Sequence, residues 1–313
     1  MRIQARRARA IVALLATVGL LVVSAPGLAG AVPAQRPQGT SPGLRLAKQA
    51  TSFDRTAKAA ATLAASEIRW ELRNVNTAGR PDVVVAYGGV TASAVVTGDW
   101  DGNGSSTVGV VHARSDGQLE WRLRNANTAG TPDVVVPFGG TNGIPVTGDW
   151  DGNGTTTIGV AFARSDGQLG WHLKNANSPG RPDVAVAYGR ASAVPVTGDW
   201  DGDGTTTIGV AFPRTDGQIG WHLRNTNTAG PPSVAVAYGG VSAFAVVTGD
   251  WDGNGSDTLG AVYQRSGELE WQLRDATAPG RPDHVFRYGG LDAGALVAGD
   301  WDGNRTWTPG VAY

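Results

Sequence analysis

Residues 157–204 read TIGVAFARSDGQLGWHLKNANSPGRPDVAVAYGRASAVPVTGDWDGDG, and the periodicity of this stretch decides the fold class. Ile158, Val160 and Phe162 alternate with Gly159 and Ala161, which is the period of two that a β-strand imposes on its faces. Ser165-Asp166-Gly167 follows, and its Asp-Gly pair suits the primed turn of a tight hairpin. Leu169, Trp171 and Leu173 then alternate with Gly170, His172 and Lys174, giving the second strand. Asn175 to Pro182, with Gly180 and two prolines, interrupts the chain before a third strand at Val184 to Tyr188 and a fourth at Ala193 to Asp199.

Outward from this stretch the pattern recurs. Trp-x-Leu-Arg/Lys-Asn/Asp places tryptophans at Trp70, Trp121, Trp171, Trp221 and Trp271, at spacings of 51, 50, 50 and 50. Gly-Asp-Trp-Asp-Gly places a second set at Trp100, Trp150, Trp200, Trp251 and Trp301; only Trp307 belongs to neither. Equal units have equal neighbours, as in a ring or a solenoid. Four short antiparallel strands in about 50 residues make a propeller blade, and closing the ring protects its edges. The repeat region opens with the Trp70 strand and the Val83 to Tyr87 strand, without their two partners. Its far end supplies the reverse, Leu296 to Asp300 and Thr306 to Tyr313. The expectation is an all-β, five-bladed β-propeller over 67–313, with one blade shared between the N- and C-terminal ends.

The preceding residues differ in kind. Residues 1–31 read as a signal peptide: Arg2, Arg6, Arg7 and Arg9, the apolar run Ile11 to Val23, then Ala29-Gly30-Ala31 as the small-residue cleavage site. A cut after Ala34 is the alternative, and an uncleaved anchor a further one, although the apolar run is short for a span. Residues 32–66 read as a linker, with Pro33, Pro37 and Pro42 in its first part and a Lys- and Ala-rich, helix-compatible stretch after Leu44. A cleaved pro-segment is the alternative reading. With the signal gone, 22 basic residues face 27 acidic ones, a net of −5, which favours neither nucleic acid nor an anionic membrane as partner. The chain has no cysteine, so disulfides, thiol catalysis and thiolate metal sites are excluded. A secreted, extracellular monomer with no membrane span after signal removal is expected.

Tyr/Phe-Gly at Tyr87-Gly88, Phe138-Gly139, Tyr188-Gly189, Tyr238-Gly239 and Tyr288-Gly289 is followed about ten residues later by Gly-Asp-Trp-Asp-Gly. This combination resembles the FG-GAP/VCBS class of bacterial propeller repeats. The resemblance implies a propeller, commonly with calcium held in blade loops, serving as an adhesion, ligand-binding or accessory module; seven-bladed members are well known, so five blades is a departure.

The acidic loops also carry a calcium reading of their own. In Asp199-Trp200-Asp201-Gly202-Asp203-Gly204-Thr205, side chains at positions 1, 3 and 5 and the carbonyl at position 7 are arranged as hard oxygen ligands for one ion. Equivalent sets are Asp99, Asp101 and Asn103; Asp149, Asp151 and Asn153; Asp250, Asp252 and Asn254; and Asp300, Asp302 and Asn304. Position 8 holds Ser106, Thr156, Thr206, Asp257 and Trp307, so only Asp257 offers a further acid. Arg305 replaces the turn glycine of the last loop. The competing reading is that these side chains satisfy turn amides without metal.

The tryptophans raise a lectin reading, since aromatic faces stack on sugars. Trp171 and its equivalents share a face with leucines and are expected between blades; packing is the favoured reading for Trp100 and its equivalents as well, although of the two sets they are the better candidates for exposure. Arg73, Arg124, Lys174, Arg224 and Arg274 repeat as well; pairing with Asp82, Asp133, Asp183 or Asp283 accounts for them. Of the four histidines only His172 and His222 are equivalent, and no Ser-His-acid set stands out. Scattered carboxylates, Glu71, Glu120, Glu268, Glu270 and Asp292, leave a glycoside hydrolase as one alternative. The expected function is a non-catalytic binding or adhesion module for an extracellular glycan or protein, with a multivalent lectin as the other alternative.

Overall fold

A computed structural model describes residues 67–313; the signal and linker readings for 1–31 and 32–66 lie outside the described residues. Strands β1 (Glu67–Leu72) and β2 (Val83–Gly89) come first. The next blade holds β3 (Ala94–Gly98), β4 (Thr107–Ala113), β5 (Gln118–Leu123) and β6 (Val134–Gly140). Its successor is β7 (Ile144–Gly148), β8 (Thr157–Ala163), β9 (Gln168–Leu173) and β10 (Val184–Arg190). Then follow β11 (Val194–Gly198), β12 (Thr207–Pro213), β13 (Gln218–Leu223) and β14 (Val234–Gly240). A further blade is β15 (Ala245–Gly249), β16 (Thr258–Arg265), β17 (Glu268–Leu273) and β18 (His284–Gly290). The last strands, β19 (Ala295–Gly299) and β20 (Thr308–Ala312), join β1 and β2 in the order β19-β20-β1-β2. The fold is therefore the expected five-bladed ring with one shared blade. Trp70 pairs with Ala312 and Leu72 with Gly310 across the closing seam. Among the described residues no helix is long and apolar enough to cross a membrane.

The hydrophobic residues fall into five clusters, each spanning two neighbouring blades. In one, Trp121, Leu119 and Leu123 of β5 meet Ile158 and Val160 of β8. The seam has the same construction: Trp70 and Leu72 share a cluster with Val108 and Val110 of β4. This is the consequence of the period of two, since alternate residues of each strand face opposite neighbours. Each tryptophan of the Trp70 set is fully buried, and its indole N–H donates to the carbonyl of the aromatic residue seventeen positions on, at 2.9 Å in all five blades. Such a ring removes on the order of 200 Å² from water, roughly 5 kcal/mol of gross stabilisation.

The aromatic-Gly pairs have a packing reason. Gly139 adopts φ +81°, and a Cβ there would lie 2.5 Å from Val160 Cγ1 of the next blade, so only glycine allows the approach. The five innermost strands β3, β7, β11, β15 and β19 stand side by side around the axis. Their threonines form a ladder. Thr97 Oγ1 donates to the Ala298 carbonyl (2.9 Å), Thr147 to Thr97 (3.0 Å), Thr197 to Thr147 (3.0 Å) and Thr248 to Thr197 (2.8 Å). At the fifth position Ala298 supplies no hydroxyl.

Candidate functional site

The five acidic loops follow the inner strands and gather at one end of the ring. In the loop after β11, Asp199 Oδ1 accepts the N–H groups of Gly202 (2.8 Å) and Asp203 (3.2 Å), and Oδ2 accepts that of Gly204 (2.8 Å). Asp203 Oδ1 in turn accepts the Thr205 N–H at 2.8 Å. The same turn bonds are made by Asp99, Asp149, Asp250 and Asp300, and by Asn103, Asn153, Asn254 and Asn304 at position 5. Positions 1 and 5 thus organise the turn, as the metal-free reading expects. Burial raises the pKa of all five position-1 aspartates, opposed by these amide donors.

One loop goes further. Asp199, Asp201 and Asp203 bring one carboxylate oxygen each within 4.8 Å of one another, the only such group of three acidic or metal-ligating side chains among the described residues. Asp201 and Asp203 are exposed and Asp199 is half-buried, so the group is accessible from solvent. This is a donor set that suits a hard divalent cation such as calcium. In the other loops position 5 is Asn, and the Asp252 carboxylate accepts from Asn254 Nδ2 at 3.0 Å. In the last loop Arg305 sits at φ +74°, where its equivalents are glycine.

Position 8 has a role that the sequence did not reveal. Its side chain reaches back to the previous loop rather than to its own. Asp99 N–H donates to Thr156 Oγ1 (3.0 Å) while Thr156 N–H donates to the Asp99 carbonyl (2.7 Å), and Asp149 with Thr206 repeats the pair. Asp300 and Ser106 close the circuit at 3.1 and 2.6 Å. Asp257, considered above as a further ligand for the Asp250 loop, instead accepts the Asp199 N–H through Oδ2 at 2.8 Å. Burial lifts its pKa to about 7. Trp307 keeps the backbone bond to the Asp250 carbonyl (2.7 Å) but offers no side-chain acceptor to Asp250 N–H. The loops are consequently stapled into a belt around the axis.

Inside the belt, at the ring axis, lies a cavity of about 250 Å³, lined by inner-strand residues such as Val95, Pro145 and Leu296 and by Thr156, Thr206, Asp257 and Trp307.

Most of the remaining candidates are packed or ion-paired. Trp100, Trp150, Trp200, Trp251 and Trp301, the better candidates for exposure, are at most 6% exposed. Their slot is made by glycines: a Cβ on Gly98 would lie 2.9 Å from Trp100 Cζ3, and one on Gly109 3.4 Å from its Cζ2. The repeated cations pair as expected, Arg73 with Asp82 (3.0 Å), Arg124 with Asp133 (2.9 Å), Lys174 with Asp183 (3.0 Å) and Arg274 with Asp283 (2.8 Å). Ser233 replaces the acid in the Arg224 repeat, and Arg224 bonds to Thr226 and Thr228 instead (2.9 and 2.8 Å). Glu120 is bridged by Arg122 and Arg114, which hold it below the usual carboxylate range. Glu71 pairs with Arg69, and Glu268 and Glu270 lie 3.9 Å from Arg287. Compared with known proteins, the chain matches no family model, and no curated relative is found.

Proposed function

We propose that the chain is a secreted, non-catalytic binding or adhesion module of the FG-GAP/VCBS kind, with calcium held in the loop Asp199–Thr205. The convergence of Asp199, Asp201 and Asp203 carries the reading. A rigid ring whose loops are stapled into a belt suits presentation of a surface to an extracellular glycan or protein, because loops fixed by a scaffold lose little entropy on binding. Glu71, Glu120, Glu268 and Glu270 each lie beside an arginine, Glu268 and Glu270 sharing Arg287 on one blade, and carboxylates engaged in ion pairs support binding over the acid and base roles of a hydrolase. Burial of both repeated tryptophan sets argues against a lectin that stacks sugars once per blade.

Calcium titration calorimetry tests the metal reading. Asp201→Asn removes a carboxylate from the three-acid loop, whereas Asp302→Asn changes the loop with Arg305 at its turn. The parent should bind calcium in the range of extracellular modules, on the order of 10⁻⁴ to 10⁻³ M. D201N should weaken that binding and D302N leave it unchanged. Equal losses, or no calcium heat from the parent at millimolar metal, would return the loops to ordinary Asp-Gly turns.

A further inference from the structure

The belt departs from its own repeat in one sector. At position 8, Ser106, Thr156 and Thr206 are small hydroxyl residues, and each hydroxyl accepts the N–H of the preceding loop's first aspartate. Thr therefore suffices for the structural task. Asp257 performs it with one oxygen only; its other oxygen has no hydrogen bond among the described residues. Trp307 does not perform it at all, and it is the one tryptophan outside the two repeated sets.

These two residues occupy consecutive places on the ring. Asp257 packs over Gly198 at the end of β11, and Trp307 over Gly249 at the end of β15; Cβ atoms on these glycines would lie 2.9 and 3.0 Å from the Asp257 and Trp307 Cβ atoms. Ala298, where the threonine ladder lacks its hydroxyl, is on the adjoining strand β19. All three line the axial cavity of about 250 Å³, with Leu296 and Val297 beside them. Both Asp257 and Trp307 line the cavity, and neither is fully buried. Where repeat symmetry is broken without structural gain, function is the usual reason.

The chemistry of the sector is specific. A carboxylate with an unused oxygen takes an N–H donor carrying positive charge, an indole face attracts a cation, and the aliphatic wall accepts a short carbon skeleton. The volume is below that of drug-sized pockets, which limits the ligand to a few heavy atoms. We propose that the belt end of the axial cavity is a binding site for a small primary ammonium compound, held between the Asp257 carboxylate and the Trp307 indole. The site goes beyond the calcium reading and does not need it.

The test uses n-butylammonium, with n-butanol as its neutral counterpart, titrated at pH 8 in the presence of a calcium chelator. Asp257→Thr and Trp307→Thr install the residue that the repeat itself carries at Thr156 and Thr206, so both variants are expected to fold. Butylammonium should bind saturably and butanol at least about tenfold more weakly, the scale of one partly desolvated ion pair or cation–π contact. Each variant should lose about tenfold in affinity for the amine while keeping the parent's circular dichroism. In an NMR titration of the parent, the indole N–H signal that disappears in W307T should shift with butylammonium. Equal affinity for the alcohol, unchanged binding by D257T, or no saturable binding of the amine would each overturn the proposal. Because calcium is chelated throughout, failure of the metal reading leaves these outcomes unaffected.

Discussion

Replacing Asp257 with Thr should stabilise the ring, and more so at alkaline than at acid pH. Its carboxyl turns inward to the Asp199 N–H, and burial raises its pKa from 3.8 to about 7. A folded-state pKa above the unfolded value means that the folded chain holds the proton more tightly. Folding therefore bears no charge penalty below about pH 4, a growing one between pH 4 and 7, and the full one above pH 7. A rise of about three units corresponds to roughly 4 kcal/mol at the upper limit. Half-burial leaves part of the group in water, so about 2 kcal/mol is the working figure. Thr keeps an acceptor for the same N–H, as Thr156 and Thr206 do. Urea unfolding of D257T against the parent in chelator, at pH 4.5 and pH 8, should give a gain that is small in acid and about 2 kcal/mol at pH 8, a rise in Tm of about 5 °C. An equal gain at both values, or a larger one in acid, would refute the charge argument and leave only packing.

Other outcomes follow from the same geometry. Gly139→Ala should destabilise by at least about 2 kcal/mol in thermal or urea unfolding, since the methyl would meet Val160 Cγ1 at 2.5 Å at a positive φ. Arg305→Gly should gain about 1 kcal/mol by the same measurement, because Arg305 occupies φ +74° where the other loops place glycine. Thr147→Val should cost about 1 kcal/mol by removing the rung to the Thr97 carbonyl. Val311→Ala should cost about 2 kcal/mol from the fully buried seam, and a chain ending at Gly299 should lose cooperative unfolding altogether, since β20 separates β19 from β1.

The blades were legible because their determinants are local: alternation in Ile158 to Phe162, the Asp166-Gly167 turn and a tryptophan every 50 or 51 residues each act within a few positions. Ring closure was legible by counting strands at the two ends. The three-carboxylate loop was legible from Asp203, where other repeats carry Asn. What escaped depends on contacts between successive repeats. Asp257 is only seven residues from Asp250, yet its partner is Asp199, one blade earlier. The favoured packing of Trp100 is found, but its physical basis was not seen: Gly98 and Gly109 recur in every repeat and form the slot for its ring. The threonine ladder and the cavity arise only once five inner strands surround an axis.

Closure by β1 and β20 also orders events in time. Every other strand pairing joins neighbours in the sequence, whereas Trp70 and Ala312 come from opposite ends of the described chain. Complete blades can form as the polypeptide emerges, but β1 keeps an unsatisfied backbone edge until residues 308–312 arrive. During that interval β1 can also accept the β20 of a second molecule, because the two strands are chemically identical and only their effective concentrations decide between them. Refolding at high concentration should therefore produce strand-exchanged oligomers, and dilution should return the closed single-chain ring.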